Sequence, residues 1–124
     1  MNALLRKLKI EALGEAYDLS FAFVTPAEMR KAMKYKKLSP NELTKTKTSN
    51  VLSFPLSKKS GEILICKSAA KPYTVEYLFI HGLYHLKGLK HGGTMERAEE
   101  KLLSRFKLCK KLSPGSTSAP TKSR

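Results

Sequence analysis

The chain has 124 residues, 41% of them hydrophobic and 27% charged, enough for one domain with a core of its own. Twenty-four Lys and Arg against ten Asp and Glu leave a formal charge of +14, which suits a polyanion, nucleic acid first, and otherwise a solvated basic surface. With 8% aromatics and no Trp, composition points away from a stacking platform for single strands, and no run nears the ~20 apolar residues of a membrane span.

Leu4, Leu5, Leu8 and Leu13 recur at near-helical spacing with Arg6, Lys7 and Lys9 between them, predicting an amphipathic helix over residues 2–13 that Gly14 ends. The charges spread through this segment do not read as a secretory signal, so the expected compartment is the cytoplasm. In YDLSFAF, Tyr17, Leu19, Phe21 and Phe23 alternate with Asp18, Ser20 and Ala22, the period of a half-buried strand. Thr25 as N-cap, Pro26 at the first helical position and Glu28 three residues after the cap open a short helix to about Met33. Residues 34–49 are polar and Lys-rich and read as a mobile basic loop. NVLSFPL is a strand whose Pro55 belongs at a sheet edge or strand end. LSKKSG turns the chain, and EILIC, apolar on both faces, is a strand covered on both sides.

KSAAKPY leads into a long apolar helix, TVEYLFIHGLYHLKG. A second helix, TMERAEEKLLSRFKL, takes Thr94 as N-cap, with its first acids in the first turn. The domain is expected to occupy residues 1–109, followed by a disordered basic tail over 110–124, where apolar side chains almost vanish. Cys66 and Cys109, far apart and in no C-x-x-C pattern, read as reduced thiols. The order α-β-α-β-β-α-α predicts an α+β fold: one small domain, a small mixed sheet with helices packed on it, its second and third strands forming a hairpin.

All three histidines fall within HGLYHLKGLKH, residues 81–91. His81 and His85 are four apart and share one face of a helix, one turn from each other. Gly88 permits the turn that ends the helix, and His91 can fold back to supply a third nitrogen. Three neutral imidazoles suit zinc at about 2.0–2.1 Å and leave a fourth tetrahedral position for water, the pattern of a catalytic site. Zinc peptidases with a similar spacing place Glu directly after the first His as general base; here Gly82 stands there and cannot take a proton.

HGLYHLKGLKH and SNVLSFP together resemble the YbeY family of bacterial endoribonucleases, the rRNA maturation factors. Members carry H-G-x-L-H-L-x-G-x-D-H after a strand motif T-[DN]-V-L-S-F-P and a G-[DE]-I strand. His81, Gly82, His85, Leu86, Gly88 and His91 match the first motif, Asn50 to Pro55 the second, and Gly61, Glu62 and Ile63 the third. The resemblance covers roughly residues 17–106. Tyr84 stands where the family usually has Leu, Lys90 where it has Asp, and Ser49 where it has Thr. The family also carries an Arg a few residues before the strand motif, where NELTKTKTS offers Lys45 and Lys47 instead.

The resemblance implies one zinc ion per chain on His81, His85 and His91, no organic cofactor, and a place in 16S rRNA 3′-end maturation and ribosome biogenesis. The partners expected are rRNA and the small ribosomal subunit, with no membrane; Lys45 and Lys47 are the candidate phosphate-binding residues. Two other functions fit parts of the sequence: a non-catalytic, zinc-stabilised ribosome-binding factor, and a zinc hydrolase of another substrate such as a peptide.

Overall fold

The computed structural model describes residues 2–35, 50–89 and 92–112. Helix α1 (Ala3–Leu13) starts on Asn2, whose side chain accepts from the Leu5 N–H, and ends at Gly14 with φ +96°. Strand β1 (Asp18–Phe23) follows. Helix α2 (Pro26–Tyr35) opens on the expected capping box: Glu28 N–H donates to Thr25 Oγ1 at 3.1 Å, and Thr25 N–H donates to Glu28 Oε1 at 2.8 Å. Strands β2 (Val51–Ser57) and β3 (Ser60–Ile65) form the expected hairpin.

The sheet is mixed, in the order β1-β3-β2, with β1 parallel and β2 antiparallel to β3. Pro55 therefore sits on an edge strand, where its missing donor costs no ladder bond. The central strand β3 is covered on both faces, as its unbroken apolar run requires. Ile63 and Ile65 face a core shared with α1 and with helix α3 (Val75–Lys87). Leu64 and Cys66 face Met29 and Met33 of α2. No helix among the described residues is long and apolar enough to cross a membrane.

Two boundaries differ from the sequence reading. Helix α4 (Gly93–Arg105) begins one residue before Thr94, with Gly92 at the N-cap and no side-chain cap, so Thr94 lies inside the first turn. The packed chain also continues beyond residue 109. Thr74 N–H donates to Lys110 O at 3.0 Å, Leu112 N–H donates to Pro72 O at 2.7 Å, and Lys111 pairs with Tyr73 as an isolated antiparallel bridge. Residues 113–124 of the expected tail and the whole stretch 36–49 lie outside the described residues.

Candidate metal centre

Helix α3 sets the geometry of the site. Thr74 caps its start by accepting from Tyr77 N–H, and Gly88, left-handed at φ +104°, ends it where the sequence places the turn. One side of the helix fills the core with Leu78, Phe79, Ile80 and Leu83. Gly82 belongs to that side: a Cβ there would meet three side-chain atoms of Ile63 at 3.0–3.3 Å. The position that carries the general base in zinc peptidases thus points into the sheet.

Four-residue spacing lines up Tyr77, His81 and His85 along another side of the same turns, and Tyr73, just before the helix, extends the row through its ring contact with Tyr77. Neighbouring ring centroids stand 5.2, 5.9 and 4.5 Å apart along this row. At its far end the two imidazoles converge, with His81 Nε2 and His85 Nε2 3.1 Å apart. Two nitrogens bound at 2.0–2.1 Å to one tetrahedral ion would be about 3.3 Å apart. The pair thus fits two corners of a metal's coordination sphere.

Glu99 of α4 braces the pair. The residue is 3% exposed; Oε2 stands 2.6 Å from His81 Nδ1 and Oε1 accepts from Tyr77 Oη at 3.5 Å. A proton held on Nδ1 by the carboxylate leaves the Nε2 lone pair facing His85, the tautomer a metal ligand needs. Burial first, and the Glu99 charge second, push the Tyr77 phenol up to about 12, so it stays a protonated donor at neutral pH.

Sequence reading passed over Glu99, although its signal is present: an acid one turn after Met95 and within a turn of Leu102 and Leu103 interrupts the buried stripe of α4. A hollow of about 140 Å³, lined by Tyr77, His81, Gly92, Met95, Glu96 and Glu99, opens beside His81. At about 30 Å³ each, it has room for a few waters. A larger cavity of about 560 Å³ lies between Glu11, Tyr84 and Arg105, and neither histidine lines it.

Of the expected site residues, the structure brings His81 and His85 together. His91, Lys45 and Lys47 lie outside the described residues, as does Lys90. Among the described residues no group of three or more His, Cys, Asp or Glu side chains is placed to hold a metal, so no three-histidine centre is shown among them; His81 and His85 are the two expected members that are described. Gly92, the chain neighbour of His91, lines the hollow beside His81. Ser53 is buried, and its register with Ile63 puts it on the sheet face that α3 covers. Glu62 alternates to the opposite face and Leu52 packs with Met29 and Met33, which places both away from the histidines.

Comparison with known proteins agrees with the motifs. The family model described as Endoribonuclease YbeY matches residues 1–107. Curated proteins of that name from Rubrobacter xylanophilus and Finegoldia magna are 35% and 34% identical over 98 residues, covering 76% and 65% of this chain. The chain spans only 65% and 60% of their lengths. The relative of the same name from Campylobacter jejuni is 32% identical over 113 residues, covering 77% of this chain and 79% of its own. No solved structure gives a significant match.

Proposed function

The chain belongs to the YbeY endoribonuclease family, and on that premise we propose that it is a zinc-dependent endoribonuclease acting on single-stranded RNA in rRNA processing, with 16S rRNA 3′-end maturation and ribosome biogenesis as its setting. The observation that carries the reading is the convergence of His81 Nε2 and His85 Nε2 at 3.1 Å, with Glu99 braced behind the first imidazole. His81, His85 and His91 would hold one zinc ion, and no organic cofactor is needed. When bound, the ion would supply Lewis acidity and lower the pKa of its water to near neutral.

The chain's own residues then have separable tasks. Glu99 keeps the His81 proton on Nδ1 and fixes the plane of the ring. Tyr77, buried and protonated, satisfies the second carboxylate oxygen of Glu99. Gly82 lets α3 lie close on Ile63, so the histidines are carried by a helix seated on the sheet. Lys45 and Lys47 would hold the phosphate and stabilise developing negative charge.

The test is zinc content and cleavage of a single-stranded rRNA precursor, wild type beside His85→Ala. About one zinc per chain in the wild type, lost in the variant together with cleavage, is the expected result. A folded His85→Ala protein that still cleaves would overturn the mechanism.

A second reading rests on NELTKTKTS having no Arg and on Lys90 standing where the family has Asp. Lysine lacks the bidentate fork of a guanidinium, and a non-catalytic, zinc-stabilised rRNA-binding factor would not need one. It predicts salt-sensitive binding to rRNA or the small subunit and no cleavage with zinc supplied. Peptide hydrolysis has less support, because residue 82 faces Ile63.

A further inference from the structure

The C-terminal end of the described chain is a strap. After α4, residues 109–112 run back along the start of α3. Thr74 Oγ1 donates to Cys109 O at 2.7 Å, while the backbone bonds from Thr74 and Leu112 fix the strap on either side of Lys111. The strap carries two lysines onto the row of rings that ends at the histidines. Lys110 Nζ lies 5.1 Å from the Tyr77 ring centre and Lys111 Nζ 5.8 Å from that of Tyr73. A third cation, Lys67, sits 4.8 Å over Phe23.

Lys67, Lys71, Tyr73 and Leu112 border one hollow of about 310 Å³, with Glu76 the single acid in its lining. All four lysines are exposed. Among the described residues no carboxylate stands within ion-pair range of any of them. Three cations are thus parked on ring faces, which hold them in place without cancelling their charge. From Tyr73 to His81 the distance is two ring steps, 5.2 and 5.9 Å.

We propose that Lys67, Lys71, Lys110 and Lys111 form a phosphate-binding track that holds the single-stranded RNA substrate to one side of the histidine pair. The track rests on the reading of the chain as an RNA-binding member of its family and gives that reading a direction. RNA approaches over the strap and the start of α3, and its backbone is gripped before it reaches His81. The grip is electrostatic and indifferent to base, as expected of lysines, which act as point charges.

The experiment measures fluorescence anisotropy of a labelled single-stranded oligoribonucleotide across a salt series. The host is His85→Ala, so that cleavage does not consume the probe. Each phosphate neutralised on a single strand contributes about −0.7 to the slope of log K against log salt. Lys110→Gln with Lys111→Gln is therefore expected to make the slope shallower by about 1.4 and to weaken binding at low salt. Lys67→Gln with Lys71→Gln, placed off the strap, is expected to do the same even if the first pair loosens the strap.

Unchanged affinity and slope in both pairs, each folded by circular dichroism, would overturn the track. So would the same lysine dependence for phosphatidylserine vesicles without oligoribonucleotide binding, which would make the surface a membrane contact. Cleavage by wild type with zinc is scored separately. Cleavage with lysine-independent binding rejects the track alone, and lysine-dependent binding without cleavage rejects the nuclease alone.

Discussion

Glu99 shows how one buried charge can define a site. A carboxylate this deep costs several kcal/mol unless its oxygens are paired, and both are: one faces His81 Nδ1, the other Tyr77 Oη. The pairing selects the tautomer that presents Nε2 toward His85. Glu99→Gln keeps the shape and an accepting oxygen but removes the charge that makes the imidazole a better donor to metal. On the proposed zinc site, affinity of the variant for the metal is expected to fall about 10–100-fold, the usual cost of losing such a partner. Competition against a chromophoric chelator measures it. Affinity equal to wild type would mean that Glu99 serves packing alone.

At the scale of elements, α3 works as a ruler laid on β3, and Gly82 sets how closely it lies. An alanine there gains about 1 kcal/mol of helix propensity. Against this, its Cβ would meet Cδ1, Cγ1 and Cγ2 of Ile63 at 3.0, 3.2 and 3.3 Å. Two of those atoms are fixed to a β-branched carbon with a stiff χ1, in a side chain with no exposure, so rotation cannot clear both. Overpacking of this kind costs about 1–3 kcal/mol, and strain wins. Gly82→Ala is expected to lower the melting temperature by about 4 °C for a net loss near 1 kcal/mol. Ile63→Val, which removes the nearest atom, is expected to restore part of it in a double-mutant cycle; additive losses would show that the contact is not the cause.

The same elements show what the sequence could disclose. Helix α3 and the closeness of His81 and His85 were legible because both follow from 3.6-residue periodicity, with Gly88 as punctuation. The central place of β3 was legible from its two apolar faces. The parallel pairing of β1 with β3 was not, since register between distant strands leaves no local mark. The strap escaped for a related reason: it is held by backbone bonds to Pro72 and Thr74 rather than by apolar side chains. A composition-based boundary at 109 cannot register such bonds.

For the whole molecule, the charge of +14 acts on folding and on binding with opposite signs. Self-repulsion of the lysines and arginines opposes the compact state. The Arg105–Glu11 pair at 3.4 Å, with its arginine side chain 66% exposed, offsets little of it. Raising ionic strength from 0.01 M to 0.15 M shortens the screening length from about 30 to about 8 Å. That relieves repulsion across the surface while weakening the part-buried His81–Glu99 contact far less. Stability is therefore expected to rise over this range by about 1 kcal/mol, or some 4 °C in melting temperature, with or without a chelator present. Affinity for single-stranded RNA should fall over the same range, because salt removes the entropy gained when condensed counterions are released. Thermal melts and anisotropy titrations in matched buffers test both signs at once. A melting temperature that drops with salt would mean that attractive ion pairs, not repulsion, dominate the surface. A flat binding curve would mean that the basic residues do not meet phosphate, and the excess charge would then need another partner.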